Sequence, residues 1–215
     1  MSEVRALIFD MDGVIVDSNP LHRTAWEQYT RRFGIAATED MQERMYGRRN
    51  DEIVRDFLGE HLSDEEVLAH GAAKEQLYRE LMAGKVTESL LPGLREFLED
   101  RHAMLLAVAT NAETANLDFV LDGAKIRSFF RVALSGNDVT RPKPDPEIYQ
   151  LAALRLGANP RECVVFEDST AGVEAGVAAG MRVVGVGSTH SALPGAALMI
   201  RDFRDPALNE WLGTR

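Results

Sequence analysis

Apolar positions along the chain follow two rhythms, and the change between them falls near Leu91. One short apolar run comes first: residues 4–9 read as a strand buried on both faces of a parallel sheet. From there to about Met82 the apolar residues recur every three or four positions, which predicts helices and no strand. Asn19 and Pro20 read as the cap and first residue of a helix that Gly34 stops. Asn50 is placed to cap a helix carrying Ile53, Val54, Phe57 and Leu58, with Gly59 closing it. Ser63 and Glu66 form a capping box for the next helix, so the acid run there reads as a solvated helix start.

Beyond Leu91, short apolar runs alternate with helical segments. Strands are expected at residues 104–109, 132–134, 163–166 and 183–186, with an edge strand at 198–200. Helices are expected at about 94–98, 113–121, 147–156 and 171–179, and a terminal one around Trp211. Strands alternating with helices imply right-handed crossovers, hence an α/β fold with a doubly wound parallel sheet. The helical block interrupts it after the first strand, as an inserted α-helical cap over the sheet's C-terminal edge. The expected division is a core of residues 1–15 and 87–215 and a cap of residues 16–86, with hinges near Val16 and Val86.

Charge and cysteine content narrow the partners. A net charge of -10 argues against nucleic acid, whose binding rests on clustered lysine and arginine. It also means that an anionic substrate must be drawn in by local groups. The single Cys163 lies in an apolar run and reads as a buried structural thiol. No run is long enough to span a bilayer, and the N-terminus turns polar too early for a signal peptide, so the cytoplasm is the expectation; the oligomeric state is left open, with a monomer favoured.

The chemistry lies where the strands end. The first delivers Asp10 and Asp12, the second Thr110, the loop after the third Lys143, and the fourth Glu167 and Asp168. Open parallel sheets bind ligands at this edge. Carboxylates this close repel one another unless a cation relieves them, and Mg²⁺ finishing its shell on phosphate suits such oxygen donors. Asp10, at the strand tip, suits a nucleophile that forms an acyl-phosphate. Asp12 can protonate the leaving oxygen and later deprotonate water. Asp10, Asp12, Glu167 and Asp168 are the expected metal set, while Lys143 and Thr110 serve the transferring group. Taken singly, Thr110 could equally cap a helix, and Lys143 could be a solvated loop residue. Two residues of the helical block have a double reading. His22 shares a stripe with Trp26, Tyr29 and Phe33, either as a core-edge histidine or as a group pointing into a cleft. Lys74, on the apolar stripe of its helix, either snorkels along the edge or reaches an anionic ligand.

The motifs Asp10-Met11-Asp12-Gly13-Val14 with Asp17-Ser18, Thr110-Asn111, Lys143-Pro144 and Glu167-Asp168-Ser169 with Gly172 together resemble the haloacid dehalogenase superfamily. They span nearly the whole chain and match its phosphatase branch with a helical cap after the first strand. The resemblance implies Mg²⁺, an aspartyl-phosphate intermediate and a metal contact from the Asp12 backbone carbonyl. Asp12 itself disfavours the dehalogenase branch and the phosphonatase branch. Within the superfamily the chain is most similar to β-phosphoglucomutase and related sugar-phosphate phosphatases, whose cap residues His22 and Lys74 match. The implied substrate contacts are His22, Lys74, Asn111 and Arg49. One departure matters: the mutase grips a second phosphate with a cap arginine and a lysine, where this chain has Asn50 and Glu113 beside Arg48 and Arg49. The expectation is therefore hydrolysis of a small phosphate monoester, of sugar or polyol type, with mutase turnover as the alternative. A phospho-accepting receiver domain is the rival from another class. The inserted helices and the nucleophile's place on the first strand count against it.

Overall fold

The computed structural model describes residues 3–45, 48–188 and 190–213. Six parallel strands form one sheet: β1 (Ala6–Phe9), β2 (Leu105–Ala109), β3 (Val132–Leu134), β4 (Cys163–Glu167), β5 (Arg182–Val186) and β6 (Leu198–Ile200). Their order is β3-β2-β1-β4-β5-β6, so β1 and β4 are the central pair, in register from Ala6 opposite Cys163 to Phe9 opposite Phe166. The strand-to-strand alternation splits the core in two. Leu7, Phe9, Leu106, Val108, Val164 and Phe166 point to one face, where helices α5 (Leu94–Asp100), α6 (Thr114–Gly123) and α9 (Pro206–Leu212) cover them. Ala6, Ile8, Ala107, Cys163 and Val165 point to the other, beneath α7 (Glu147–Leu156) and α8 (Thr170–Ala178). This is the expected doubly wound sheet.

Between β1 and β2 stand α1 (Asn19–Arg31), α2 (Glu39–Arg44), α3 (Asn50–Leu58) and α4 (Asp64–Met82). They carry a separate apolar cluster of Trp26, Tyr29, Met45, Ile53, Val54, Phe57 and Val67. The inserted helical cap is thus packed around its own core. The Ser63–Glu66 capping box is present. Two expected caps are not. The N-cap positions of α1 and α3 are Ser18 and Arg49, and the side chains of Asn19 and Asn50 are instead spent on carboxylates, as described below. Phe33, expected on the packing stripe, is half exposed just past the end of α1. The two segments joining cap to sheet run side by side, with Val16 bridged antiparallel to Leu90 and the Asp17 amide donating to the Ser89 carbonyl at 2.8 Å. Among the described residues no helix is long and apolar enough to cross a membrane.

The tips of β1 and β4 are held by aromatic packing. Phe9 and Phe166 stack with ring centroids 4.8 Å apart, and Phe97 meets Phe166 edge-on at 5.7 Å. Asp10 and Glu167 are the residues immediately after these rings, so a rigid base carries both carboxylates.

Candidate active site

Asp10, Asp12, Thr110, Asn111, Lys143, Glu167 and Asp168 line one cleft between the sheet edge and the helical cap. His22, Arg48, Asn50, Lys74, Glu75 and Asn116 complete its wall. The groups predicted from the strand ends therefore share one edge.

Lys143 is the hub of the core side. Its Nζ donates to Asp10 Oδ1 at 2.7 Å, Glu167 Oε1 at 2.7 Å and the Ala109 carbonyl at 3.0 Å, and lies 4.7 Å from the centre of the Tyr149 ring. It is almost fully buried, so it is no solvated loop residue. Its loop is pinned where its own amide donates to Asn111 Oδ1 at 3.1 Å. Burial raises the Asp10 carboxyl to about 7; Lys143 pulls it down, but Glu167 and Asp12 push it up again. One lysine does not balance the acids around it.

Glu167 is saturated by donors. Oε1 accepts from Lys143 and from the Tyr149 hydroxyl at 2.7 Å; Oε2 accepts from the Asp168 and Ser169 amides at 3.0 and 3.2 Å and the Ser169 hydroxyl at 3.0 Å. Any side chain at position 172 would overlap this carboxylate, which accounts for Gly172 on α8. Asp168 accepts from Asn19 Nδ2 at 3.0 Å. Gly13, at φ 76°, gives the chain a left-handed turn beside Asp168, where a Cβ would strike Oδ2 of that residue. Thr110 is buried, and its Oγ1 accepts the Ala112 amide at 3.1 Å; its own hydroxyl proton is left to be donated elsewhere.

A second hub sits on the cap. Lys74 neither snorkels nor reaches out: it is buried, donating from Nζ to Glu75 Oε1 and to His22 Nδ1, both at 2.7 Å, with Trp26 under it at 5.0 Å. An ammonium group only donates, so Nδ1 of His22 accepts and Nε2 carries the proton. That Nε2 faces Asp12 Oδ1 at 3.3 Å, and the Ser18 hydroxyl donates to the same oxygen at 2.5 Å. Tyr78 stacks on the imidazole at 3.8 Å and fixes its plane. Burial raises Asp12, but His22 and Ser18 outweigh it and hold the carboxyl below its usual range.

With this geometry in view, the comparisons are specific. Residues 7–186 match the family model described as haloacid dehalogenase-like hydrolase. The chain belongs to this family. It is 31% identical to β-phosphoglucomutase of Bacillus subtilis, over 97% of this chain and 96% of that protein. It is 35% identical to the phosphorylated carbohydrates phosphatase of Thermotoga maritima, over 91% of this chain and 90% of that one. The crystal structure of β-phosphoglucomutase from Clostridium difficile superposes with a TM-score of 0.88 at 27% identity, covering 98% and 97% of the two chains.

The residues of this haloacid dehalogenase-like hydrolase fit a hard divalent cation. Oxygen atoms of Asp10, Glu167 and Asp168 lie within 4.8 Å of one another, all buried, and carboxylate oxygens are the donors such ions take. Arg49 is the expected residue that stands apart: it pairs with Asp51 at 3.3 Å and lines an adjoining cavity with Asn111, Glu113 and Asn137. Sequence reasoning missed Asn19, Glu75 and Asn116 as cleft groups, and Ser18 and Tyr149 as the buried partners of Asp12 and Glu167. Ser18 was already in the quoted motif. Glu75 could have been found as a second charge beside Lys74 on a buried stripe, whereas Asn116 and Tyr149 carry no such signal.

Proposed function

We propose that this chain is a phosphatase that hydrolyses small phosphate monoesters of sugar or polyol type through an aspartyl-phosphate on Asp10. The observation that carries this reading is the Lys143 hub: a strand-tip aspartate held at 2.7 Å by a buried lysine, within reach of a further buried aspartate. A phosphate monoester enters with its phosphorus facing Asp10. An Asp10 oxygen forms the new bond to phosphorus as the bond to the leaving oxygen breaks. Asp12 sits ionised in the resting site, and an arriving phosphate dianion raises its proton affinity. It therefore takes up a proton as substrate binds and passes it to the departing alkoxide. Asp12 then removes a proton from the water that attacks the phosphoryl group, returning free Asp10 and inorganic phosphate. His22 and Ser18 hold Asp12 in line, and Lys143 and the Thr110 hydroxyl meet the charge on the phosphoryl oxygens. Mg²⁺, held by Asp10, Asp168 and the Asp12 carbonyl, would neutralise substrate charge and fix the phosphate's orientation. Glu167, with its acceptor positions filled, serves to position Lys143.

The mutase alternative loses ground at two positions. Asn50 donates to Glu75 at 2.8 Å, and Glu113 pairs with Arg79 at 2.6 Å, so neither position offers a free cation to a second phosphate. We further propose that residues 16–86 act as a lid that pivots on the paired segments at Val16 and Leu90, and that the enzyme works in the cytoplasm. The test is phosphate release from sugar and polyol monophosphates with Mg²⁺. Continuous release that stops on chelation is expected. One phosphoryl equivalent retained per chain would favour a receiver, and isomerised sugar phosphate without phosphate release would favour a mutase.

A further inference from the structure

The cleft wall facing the acid cluster carries two amides, one carboxylate, and cations that already have partners. Glu75 on α4 lies almost fully buried at the cap–core junction. Its Oε1 accepts from Lys74 at 2.7 Å and Asn50 at 2.8 Å, and its Oε2 from Asn116 of α6 at 2.5 Å. A carboxylate offers about four acceptor positions, so one remains for a ligand. Around it, every described cation of the wall already has a carboxylate. Lys74 is taken by Glu75, Arg48 by Glu52 at 3.2 Å and Asp56 at 2.9 Å, Arg49 by Asp51, and Arg79, behind Asn116, by Glu113. Asn50 and Asn116 add amide groups on either side.

We propose that Glu75, flanked by Asn50 and Asn116, is the specificity determinant for the non-reacting end of the substrate: it accepts hydrogen bonds from hydroxyls of an uncharged polyol or sugar chain and rejects a second phosphate. This rests on the hydrolase reading above. The physical reason is the difference in what each ligand finds. A hydroxyl can donate to the carboxylate and accept from an amide without disturbing an existing pair. A second phosphate could accept from an amide, but as a dianion it brings no proton to the carboxylate, is repelled by its charge, and would have to break an ion pair to find a cation. Since the same carboxylate bonds α4 to α6, a hydroxylated ligand engages cap and core together.

The full-length protein with Mg²⁺ is assayed by phosphate release on a hexitol monophosphate, a hexose bisphosphate and phenyl phosphate, which has no hydroxyls. Wild type is expected to favour the monophosphate over the bisphosphate by about 100-fold in kcat/KM, the scale of one desolvated like-charge contact. Glu75→Gln removes the charge and is expected to narrow that ratio about tenfold. It also lowers the hexitol substrate relative to phenyl phosphate by about the same factor. Asn50→Ala, at a partly exposed position, keeps the test decisive where Glu75→Gln does not fold: it should raise KM for the hexitol substrate about fivefold with kcat changed less than about twofold. Equal use of mono- and bisphosphate by wild type, or a ratio unmoved in both variants, overturns the inference while phenyl phosphate turnover leaves the hydrolase reading standing. No release from any of the three substrates overturns both.

Discussion

Two buried lysines stand on opposite sides of the cleft, and one bonds a carboxylate more than the other. Lys143 on the core side bonds two carboxylates, with the carboxyl of Asp168 also close by. Lys74 on the cap side bonds one carboxylate and one imidazole. Each lies over an aromatic ring, at 4.7 and 5.0 Å. The core hub is left with surplus negative charge, and Asp10 is correspondingly pushed up. The cap hub is balanced: burial raises Glu75, yet Lys74, with a hydrogen bond from Asn116, outweighs it and draws the carboxyl down to about 2. A surplus of acid invites a dication and the phosphoryl group that follows it; a balanced pair invites a neutral ligand. Similar parts, with one carboxylate more or less, thus give the reacting and the selecting halves of a single site.

The contrast can be broken most severely at Asp10. Asp10→Asn removes the attacking oxygen and should cut steady phosphate release by about 10⁴-fold or more while circular dichroism stays that of wild type. Lys143→Met leaves Asp10 and Glu167 facing each other without a counter-charge. A loss of about 3–5 kcal/mol at neutral pH is expected in denaturant unfolding, along with a drop of about 10²–10³ in kcat. The stability deficit should shrink as pH falls and the two acids take up protons. Gly172→Ala forces a methyl into the Glu167 carboxylate, so it should cost about 2–3 kcal/mol and lower kcat more than it raises KM. The mildest probe is pH on the cap side. A carboxyl whose folded pKa is about 2 against an ordinary 4.5 contributes stability above 4.5 that is lost as pH falls from there towards 2. Glu75→Gln should flatten the unfolding midpoint across that window, and the core hub predicts no such flattening from this variant.

The core hub was the more legible of the two in the sequence. Each of its members ends a strand or opens the loop after one, and a parallel sheet brings all strand ends to one edge whatever lies between them. Asp10, Thr110 and Asp168 are therefore placed by topology alone. The cap hub depends on how helices meet, which spacing does not specify. Lys74 was visible as a misfit on an apolar stripe, but its partners depended on which face of α1 met α4, and Asn116 on where α6 met α4. Asn19 and Asn50 show the competing forces directly. Each stands where a helix cap is expected, yet a buried carboxylate is the stronger claim on an amide donor, so both side chains turn to Asp168 and Glu75. Arg49 was assigned to the substrate from its neighbours in the chain, and a single nearby acid, Asp51, draws it away.

The adjacency of the two connecting segments has a consequence for how such enzymes diversify. Because Ile15 and Leu91 are already hydrogen-bonded at 3.0 Å, the sheet sees the whole helical block as a long excursion from one hairpin-like pair. A different excursion could be spliced between those two points without altering the pairing of any strand in the sheet. The catalytic edge can stay fixed while the selecting half is exchanged as a unit.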